Sequence, residues 1–257
     1  MVPIITSTIK IHGRRLLLLI AAISITSSAQ ANGLPTANPE SVGVSSERLG
    51  RLSESMQRYV DSNQLAGTVS LIARKGKVIH LESQGWKSKE NKEEMSDDTI
   101  FFIMSMTKPI VSTALMMLYE EGHFLLTDPI TDWIPEVAGK EVIVENEFGA
   151  HRIQAYRPID FRHVLSHTAG LDPSRDALND DEVALLERMD NLEDTIRRRA
   201  PLPLAFHPGD DWQYGSSTDY VALLVERIAG EPVQDYLQRK IFDPLGMEDT
   251  FYAVPAE

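Results

Sequence analysis

The chain has 257 residues, of which 42% are hydrophobic and 25% charged, and its 38 acidic residues against 25 Lys and Arg give a formal net charge of −13. These proportions are ordinary for a soluble globular protein and argue against disorder or a polytopic membrane protein. The acidic balance argues against a nucleic-acid partner, because such a partner requires a basic face. The absence of cysteine excludes disulfides, thiolate metal sites, cysteine nucleophiles and a lipoprotein anchor.

The N-terminus has the order of a secretory signal peptide. Three basic side chains come first, Lys10, Arg14 and Arg15. Residues 16–25 are then apolar, and residues 29–31, Ala-Gln-Ala, supply small side chains at both recognition positions of a cleavage site. The apolar stretch is shorter than the ~20 residues of a membrane span, although an uncleaved anchor is the alternative. We therefore expect a signal peptide over residues 1–31, a periplasmic or secreted protein, and no stable membrane anchor after cleavage.

The segment after the signal peptide leads into a single predicted domain. Residues 32–43 contain Gly, Pro, Asn and Ser and predict a linker, and the domain then spans residues 44–257. Ser45 or Ser46 can cap its first helix. The apolar positions of that helix share one face at helical spacing: Leu49, Leu52, Met56, Tyr59 and Val60.

Two β-rich runs follow, at residues 68–73 and 77–81, and the Arg-Lys-Gly sequence between them predicts a hairpin turn. The polar and charged residues 87–98 predict a loop. Helices are predicted over five further segments: 110–119, 160–167, 172–200, 218–229 and 232–241. The segment 110–119 contains no charged residue, which is typical of a buried helix. The segment 172–200 predicts a small helical subdomain.

The first candidate for chemistry is Ser105-x-x-Lys108, where a short apolar run meets the predicted buried helix. A serine hydroxyl is a poor nucleophile until its proton is removed, and residues three apart on a helix face the same way, so an amine would lie beside the hydroxyl. The helix N-terminus would add positive potential for a developing oxyanion. Pro109 predicts a tight first turn. The same spacing occurs at Ser7 and Lys10, but within the signal peptide, where it carries no catalytic meaning.

The second candidate is Tyr214, in the Tyr-Gly-Ser turn that precedes a predicted helix. A tyrosine in such a turn is ordinarily a packing or interface residue. The functional alternative is a phenol whose pKa, ~10 in water, falls beside Lys108 so that the phenol can act as a base. The residues alone leave both interpretations open.

The third candidate is the pair His163 and His167, which are four residues apart and could share a helical face as metal ligands. No further His or acidic cluster at metal-ligand spacing accompanies them. We therefore predict no metal site and a buried, hydrogen-bonded, structural His167. The sequence also lacks the G-x-S-x-G, P-loop and G-x-G-x-x-G patterns.

Four stretches, in this order, resemble the serine β-lactamase and penicillin-recognising superfamily on its class C side, and within it most resemble the family VIII carboxylesterases. They are Ser105-Met106-Thr107-Lys108-Pro109, Leu165-Ser166-His167-Thr168-Ala169-Gly170-Leu171, residues 206–216 (Phe-His-Pro-Gly, then Trp-Gln-Tyr-Gly-Ser) and Ile241-Phe242-Asp243-Pro244-Leu245-Gly246-Met247. The resemblance covers about residues 38–257, nearly all of the mature chain.

The resemblance implies an α/β fold, with an antiparallel sheet flanked by helices and a helical subdomain. It implies that Ser105 is the acylated nucleophile, that Lys108 is its partner and that Tyr214 is the general base. It implies neither a metal nor a cofactor. The expected partner is a small-molecule ester or β-lactam substrate.

The chain departs from this family's pattern at two places. Ser216 stands where the family's middle motif often has an Asn that helps hold an amide-bearing substrate, so we expect Ser216 to contact substrate and esters to be preferred over β-lactams. The family's third motif, a Lys-Thr-Gly-like or His/Trp-x-Gly strand, is not reached before Glu257. The resemblance therefore implies a C-terminally truncated member without its final strands, which should turn over esters feebly beside a longer form.

The sequence thus predicts a serine hydrolase that forms an acyl-enzyme on Ser105, most simply an esterase on small carboxylic esters. Within the enzyme class, a class C-type β-lactamase and a D-Ala-D-Ala carboxypeptidase are the alternatives. An inactive ligand-binding protein or a defective fragment is the alternative of another class.

The basic, apolar and Ala-x-Ala order of residues 10–31 generates a prediction about export. Expressed in a bacterium with a matching export system, the protein should be cut after Ala31 and recovered outside the cytoplasm. N-terminal sequencing of the recovered protein is the measurement, and a mature N-terminus near Met1 would contradict it.

Overall fold

The computed structural model describes residues 33–147, 149–187 and 189–254. The predicted signal peptide and the match at Ser7 and Lys10 lie outside the described residues. Within the described ranges, no helix has the length and apolar character needed to cross a membrane.

Strands and helices are mixed along the chain. The strands are β1 (Gly67–Arg74), β2 (Lys77–Ser88), β3 (Glu93–Glu94), β4 (Glu141–Asn146) and β5 (Gly149–Gln154). The helices are α1 (Ser46–Asp61), α2 (Thr107–Glu120), α3 (Phe161–Leu165), α4 (Asp180–Ala184), α5 (Leu192–Arg199), α6 (Ser217–Ala229), α7 (Val233–Leu237) and α8 (Asp243–Leu245). A π-helical turn, Gln238–Phe242, joins α7 to α8. This architecture confirms the predicted α/β class with antiparallel sheet.

The segment before α1 packs against the strands that follow it. Thr36 forms a short parallel bridge with Val78, and Val42 is buried. Ser45 then caps α1, its side-chain oxygen accepting the N–H of Arg48, as the sequence predicts. The part of the predicted linker that the structure describes is therefore in contact with the domain.

The first sheet has the strand order β1-β2-β3, all antiparallel, and contains the predicted hairpin. β2 extends to Ser88, well past its predicted end, and β3 lies within the segment predicted as a loop. The reason is main-chain pairing, because Gly67 pairs with Gly85 at the far end of the hairpin. Gly85 has a φ of +80°, and a Cβ there would overlap the Ala66 carbonyl, so the two strands approach closely only because this residue is glycine.

The second sheet is the β4–β5 hairpin, which the sequence pattern does not predict. Every residue of β5 is exposed, so β5 shows no apolar alternation. β4 is anchored instead by the buried Val142, which bridges to Leu204. The strand is thus fixed by a residue 62 positions further along the chain, and a local sequence pattern cannot show such a contact.

The core lies between α2 and α6, which pack against each other. α2 buries the face formed by Val111, Ala114, Leu115 and Leu118, and its other faces are partly covered. α6 is more deeply enclosed and buries seven of its residues, including Leu223 and Leu224. The sequence thus predicts α2 correctly as a helix but overstates how completely it is buried.

Lys140 is the most buried lysine among the described residues, with 8% of its surface exposed. Its ammonium donates to the main-chain carbonyls of Ala200 and Leu202, the latter at 2.7 Å, and so ties the start of β4 to the segment after α5. Burial lowers the pKa of Lys140 from 10.5 to about 8.

Because the folded-state pKa lies below the unfolded one, this group opposes folding most at low pH, and that cost disappears as pH rises from 8 to 10.5. We expect the free energy of unfolding of the wild type to rise over this window by up to about 3 kcal/mol relative to Lys140→Met. Chemical denaturation at several pH values measures the difference. The exposed Lys77→Met is the control and should parallel the wild type, and parallel curves for Lys140→Met would contradict the prediction.

Candidate active site

Ser105 lies in the short 3-10 turn Met104–Met106, and α2 begins at Thr107 directly after it. This is the tight first turn that Pro109 predicts. Met104 has a φ of +49°, a left-handed conformation that is rare for a residue with a side chain. The turn brings Lys108, on the first turn of α2, to the same side as Ser105, with 3.2 Å between the Lys108 Nζ and the Ser105 Oγ.

Tyr214 reaches the same hydroxyl from the other half of the domain. Its phenol oxygen lies 2.5 Å from the Ser105 Oγ, across a separation of 109 residues. The Lys108 Nζ lies 4.7 Å from the centre of the Tyr214 ring. The structure therefore brings together the three predicted catalytic residues. Ser216 lies two residues further on, directly before α6, and its contact with substrate stays a prediction.

The ammonium beside Tyr214 changes its acidity. The hydrogen bond from Lys108, and then the one with Ser105, hold the pKa of the Tyr214 phenol below its ordinary value of 10. The phenol is about half exposed, so solvent weakens this effect. The pKa of Tyr214 is thus shifted in the direction that the sequence predicts, because a phenol beside a lysine gives up its proton more readily.

The loop that carries Tyr214 is bound along its length to the segment after α3. The N–H groups of Ala205 and Gly209 donate to the carbonyls of Gly170 and Thr168, at 2.8 and 2.7 Å. Gly170 has a φ of +73°, and a Cβ there would overlap the carbonyl of Phe206. The close pairing of the two segments therefore requires glycine at this position.

Asp172 also belongs to this site, although no sequence motif identifies it. Its Oδ2 accepts the N–H of Ser216 at 2.8 Å, and its carboxylate occupies the space where a Cβ on Gly215 would be. Asp172 thereby fixes the two residues that follow Tyr214. The only available signal is that an acidic residue directly follows the motif of residues 165–171, and that signal names no partner.

The two candidate histidines have different surroundings. His163 is buried on α3, and its Nδ1 accepts the N–H of Asp160 at 3.0 Å, while burial lowers its pKa. α3 ends at Leu165, so His167 lies beyond the helix and does not share a face with His163. The expectation that His167 is buried is wrong, because the residue is partly exposed. The expected hydrogen bond is present, since the His167 Nδ1 accepts the N–H of Gly215, and the ring also contacts Tyr214.

Apolar side chains are exposed near Ser105. Met104 and Met106, directly before and after Ser105, are mostly exposed, and so are Phe102, three residues before it, and Trp212 on the Tyr214 loop. Among the described residues, no group of three or more His, Asp or Glu side chains is placed to hold a metal ion.

The model of the family described as Beta-lactamase matches residues 52–257. Esterase EstB of Burkholderia gladioli is 31% identical over 208 residues, which are 77% of this chain and 50% of that protein. Penicillin-binding protein 4* of Bacillus subtilis is 26% identical over 203 residues, 74% of this chain and 38% of that protein.

Among solved structures, EstCE1, described as a hydrolase with promiscuous acyltransferase activity, superposes with a TM-score of 0.66 at 29% identity. The match covers 77% of this chain and 51% of that one. The chain thus spans about half the length of these relatives or less.

The contact between Gly215 and Asp172 generates a prediction about stability. Gly215→Ala should destabilise the fold by about 1–3 kcal/mol through overpacking, and Asp172→Ala by a similar amount because the Ser216 N–H loses its acceptor. The double variant should be less destabilised than the sum, since removing the carboxylate opens the space that the new methyl group needs. Thermal and denaturant unfolding measure all three variants.

The control is Gly50→Ala on α1, where a Cβ would meet no neighbour within 4 Å. That substitution should be neutral or slightly stabilising, because alanine favours a helix. Strictly additive effects at Gly215 and Asp172 would contradict the proposed contact.

Proposed function

Because the chain belongs to the Beta-lactamase family, we propose that it is a serine hydrolase that forms an acyl-enzyme on Ser105, with small carboxylic esters as its substrates. The observation that carries the proposal is the convergence of the Tyr214 phenol and the Lys108 ammonium on the Ser105 hydroxyl, at 2.5 and 3.2 Å. A nucleophile within hydrogen-bond reach of a base is the arrangement that acyl transfer requires.

The proposed reaction begins with Tyr214 as the base. Its lowered pKa increases the fraction of phenolate, which takes the Ser105 proton as Oγ attacks the ester carbonyl carbon. Tyr214 then returns the proton to the leaving alcohol as the tetrahedral intermediate collapses to the acyl-enzyme. In the second half, the phenolate takes a proton from water, the water attacks the acyl carbon, and Ser105 leaves with that proton.

Lys108 serves electrostatically in this scheme. As an ammonium it donates to Ser105 and lies beside the Tyr214 ring, so it stabilises negative charge whether that charge is on the phenolate or on the attacking oxygen. The beginning of α2, two residues after Ser105, adds positive potential where the oxyanion develops. Both effects are stronger in the charged states of the reaction than in the resting hydroxyl, which is what lowers a barrier.

The preference for esters rests on Ser216 and on a relative. The resemblance assigns this position to substrate contact, and serine here lacks the amide that would hold the amide group of a β-lactam. The similarity to an esterase over 77% of the chain supports the same choice. The similarity to a penicillin-binding protein makes acylation by a β-lactam the second candidate.

Intact-mass analysis tests the proposal without depending on complete turnover. The protein is exposed separately to a fluorophosphonate, p-nitrophenyl butyrate and a penicillin, and the modified residue is located by peptide mapping. We expect a fluorophosphonate adduct on Ser105 and faster acylation by the ester than by the penicillin. Acylation by penicillin alone would favour the second candidate, and no adduct on Ser105 with any reagent would contradict both.

Variants assign the roles. Ser105→Ala should abolish labelling. Tyr214→Phe should slow it by about 10²–10⁴-fold, the usual size of general-base assistance. Lys108→Ala should slow it by about 10²–10³-fold, the usual cost of losing one group that stabilises developing negative charge. The exposed Tyr59→Phe and Lys75→Ala are matched controls and should label at the wild-type rate. Wild-type labelling rates in Tyr214→Phe would remove the phenol from the mechanism.

A further inference from the structure

His167 contacts the residues on both sides of Tyr214. Its main-chain carbonyl accepts the N–H of Gln213 at 2.9 Å, and its ring Nδ1 lies 3.4 Å from the N–H of Gly215. Its backbone is left-handed, with a φ of +59°, and this conformation lets both groups face the same short segment. A strained, non-glycine backbone of this kind persists only where surrounding contacts hold it.

The imidazole also packs against the rings of the loop. The centre of the His167 ring lies 4.9 Å from that of Tyr214 with 30° between the planes, and 6.4 Å from that of Trp212. The Lys108 Nζ lies 4.7 Å from the centre of the same tyrosine ring. The phenol that meets Ser105 is thus in contact with both an imidazole and an ammonium.

The contact with Gly215 depends on the charge of the imidazole. Nδ1 can accept an N–H only in the neutral ring that carries its proton on Nε2, and a protonated ring presents a donor to a donor. The charged and titratable groups that face His167 are Lys108 from α2, Asp172 from the segment after α3, and Tyr214 itself. Burial and then Lys108 lower the pKa of His167, and Asp172 opposes them, so the neutral form prevails at neutral pH.

We propose that neutral His167 is a positioning residue that holds the Tyr214 phenol on Ser105, and that its protonation releases the phenol and so switches off acylation in acid. The proposal rests on the proposed function, in which Tyr214 takes the Ser105 proton. Protonation would act in two ways, by removing the acceptor of the Gly215 N–H and by placing a second cation near Lys108.

The test measures the rate of fluorophosphonate labelling of Ser105 from pH 4.5 to 8.5 in the full chain. Loss of the phenolate alone slows labelling about tenfold for each unit that pH falls below the Tyr214 pKa. Protonation of His167 should add a further tenfold per unit, so the wild-type profile should steepen below the midpoint at which the His167 ring titrates in NMR spectra.

Two substitutions separate the acceptor from the charge. Asn tolerates the left-handed backbone and carries a side-chain acceptor without a titration, so His167→Asn should keep neutral-pH labelling within about threefold of wild type and lose the steep limb. His167→Ala lacks the acceptor and should label about 10- to 100-fold more slowly at neutral pH, the scale of a small misplacement of a catalytic group. The exposed His151→Asn, on β5, is the control and should follow the wild-type profile.

A steep limb that persists in His167→Asn would overturn the proposal, and so would a His167 ring that titrates well above pH 6.5. A second readout does not need labelling. The Tyr214 ring signals, assigned by comparison with Tyr214→Phe, should shift with the His167 midpoint in the wild type and not in His167→Asn. If Ser105 is not labelled at any pH but the Tyr214 signals still shift with the His167 midpoint, the proposed function fails and the positioning of Tyr214 by His167 stands. If the Tyr214 signals do not shift with the His167 midpoint, the positioning itself fails.

Discussion

The hydrogen bond between Ser105 and Tyr214 depends on the packing of α2 against α6. The serine lies two residues before α2 and the tyrosine three residues before α6, so their contact requires both helices to begin at the same place. Buried apolar faces on the two helices hold that arrangement. The positive ends of two helix dipoles thereby converge on the hydroxyl and the phenol, and both favour negative charge there, in the same sense as Lys108. The core of the domain and the geometry of the site thus depend on one packing interaction.

Around this contact the backbone departs from its ordinary conformations. Met104, directly before Ser105, and His167, beside the phenol, both have left-handed backbones without being glycine. Each such residue costs on the order of 1 kcal/mol or more and is retained where surrounding contacts determine it. Here the first aims Ser105 at the start of α2, and the second presents a carbonyl and an imidazole to the Tyr214 loop. The three other described non-glycine residues with a positive φ, Asn63, Lys75 and Lys92, lie in turns, whereas these two adjoin Ser105 and Tyr214.

The polar groups of the site are hydrogen-bonded to one another, whereas its apolar side chains are exposed. The hydroxyl, the phenol and the ammonium are in contact, and His167 and Asp172 accept the N–H groups of Gly215 and Ser216, the two residues that follow Tyr214. The apolar side chains next to Ser105 lie exposed instead. The chain spans about half the length of EstB and of EstCE1.

Local sequence determined the features that depend on neighbouring residues. The cap of α1, the first hairpin, the helical stretches at α2 and α6, and the placing of Lys108 beside Ser105 all follow from spacing along a helix or a strand. The resemblance to a known family pointed to Tyr214 as a site residue. The local sequence could not do so, because a tyrosine in a Gly/Ser turn is ordinarily a packing or interface residue. Tertiary structure decided what depends on distant contacts: the β4–β5 hairpin, anchored through Leu204; Asp172, visible only through its bond to Ser216; and the placement of His167 against Tyr214. The physical reason is that these contacts join residues more than forty positions apart. A periodic pattern shows which face of a helix or strand is apolar, but it does not show which distant residues pack against that face.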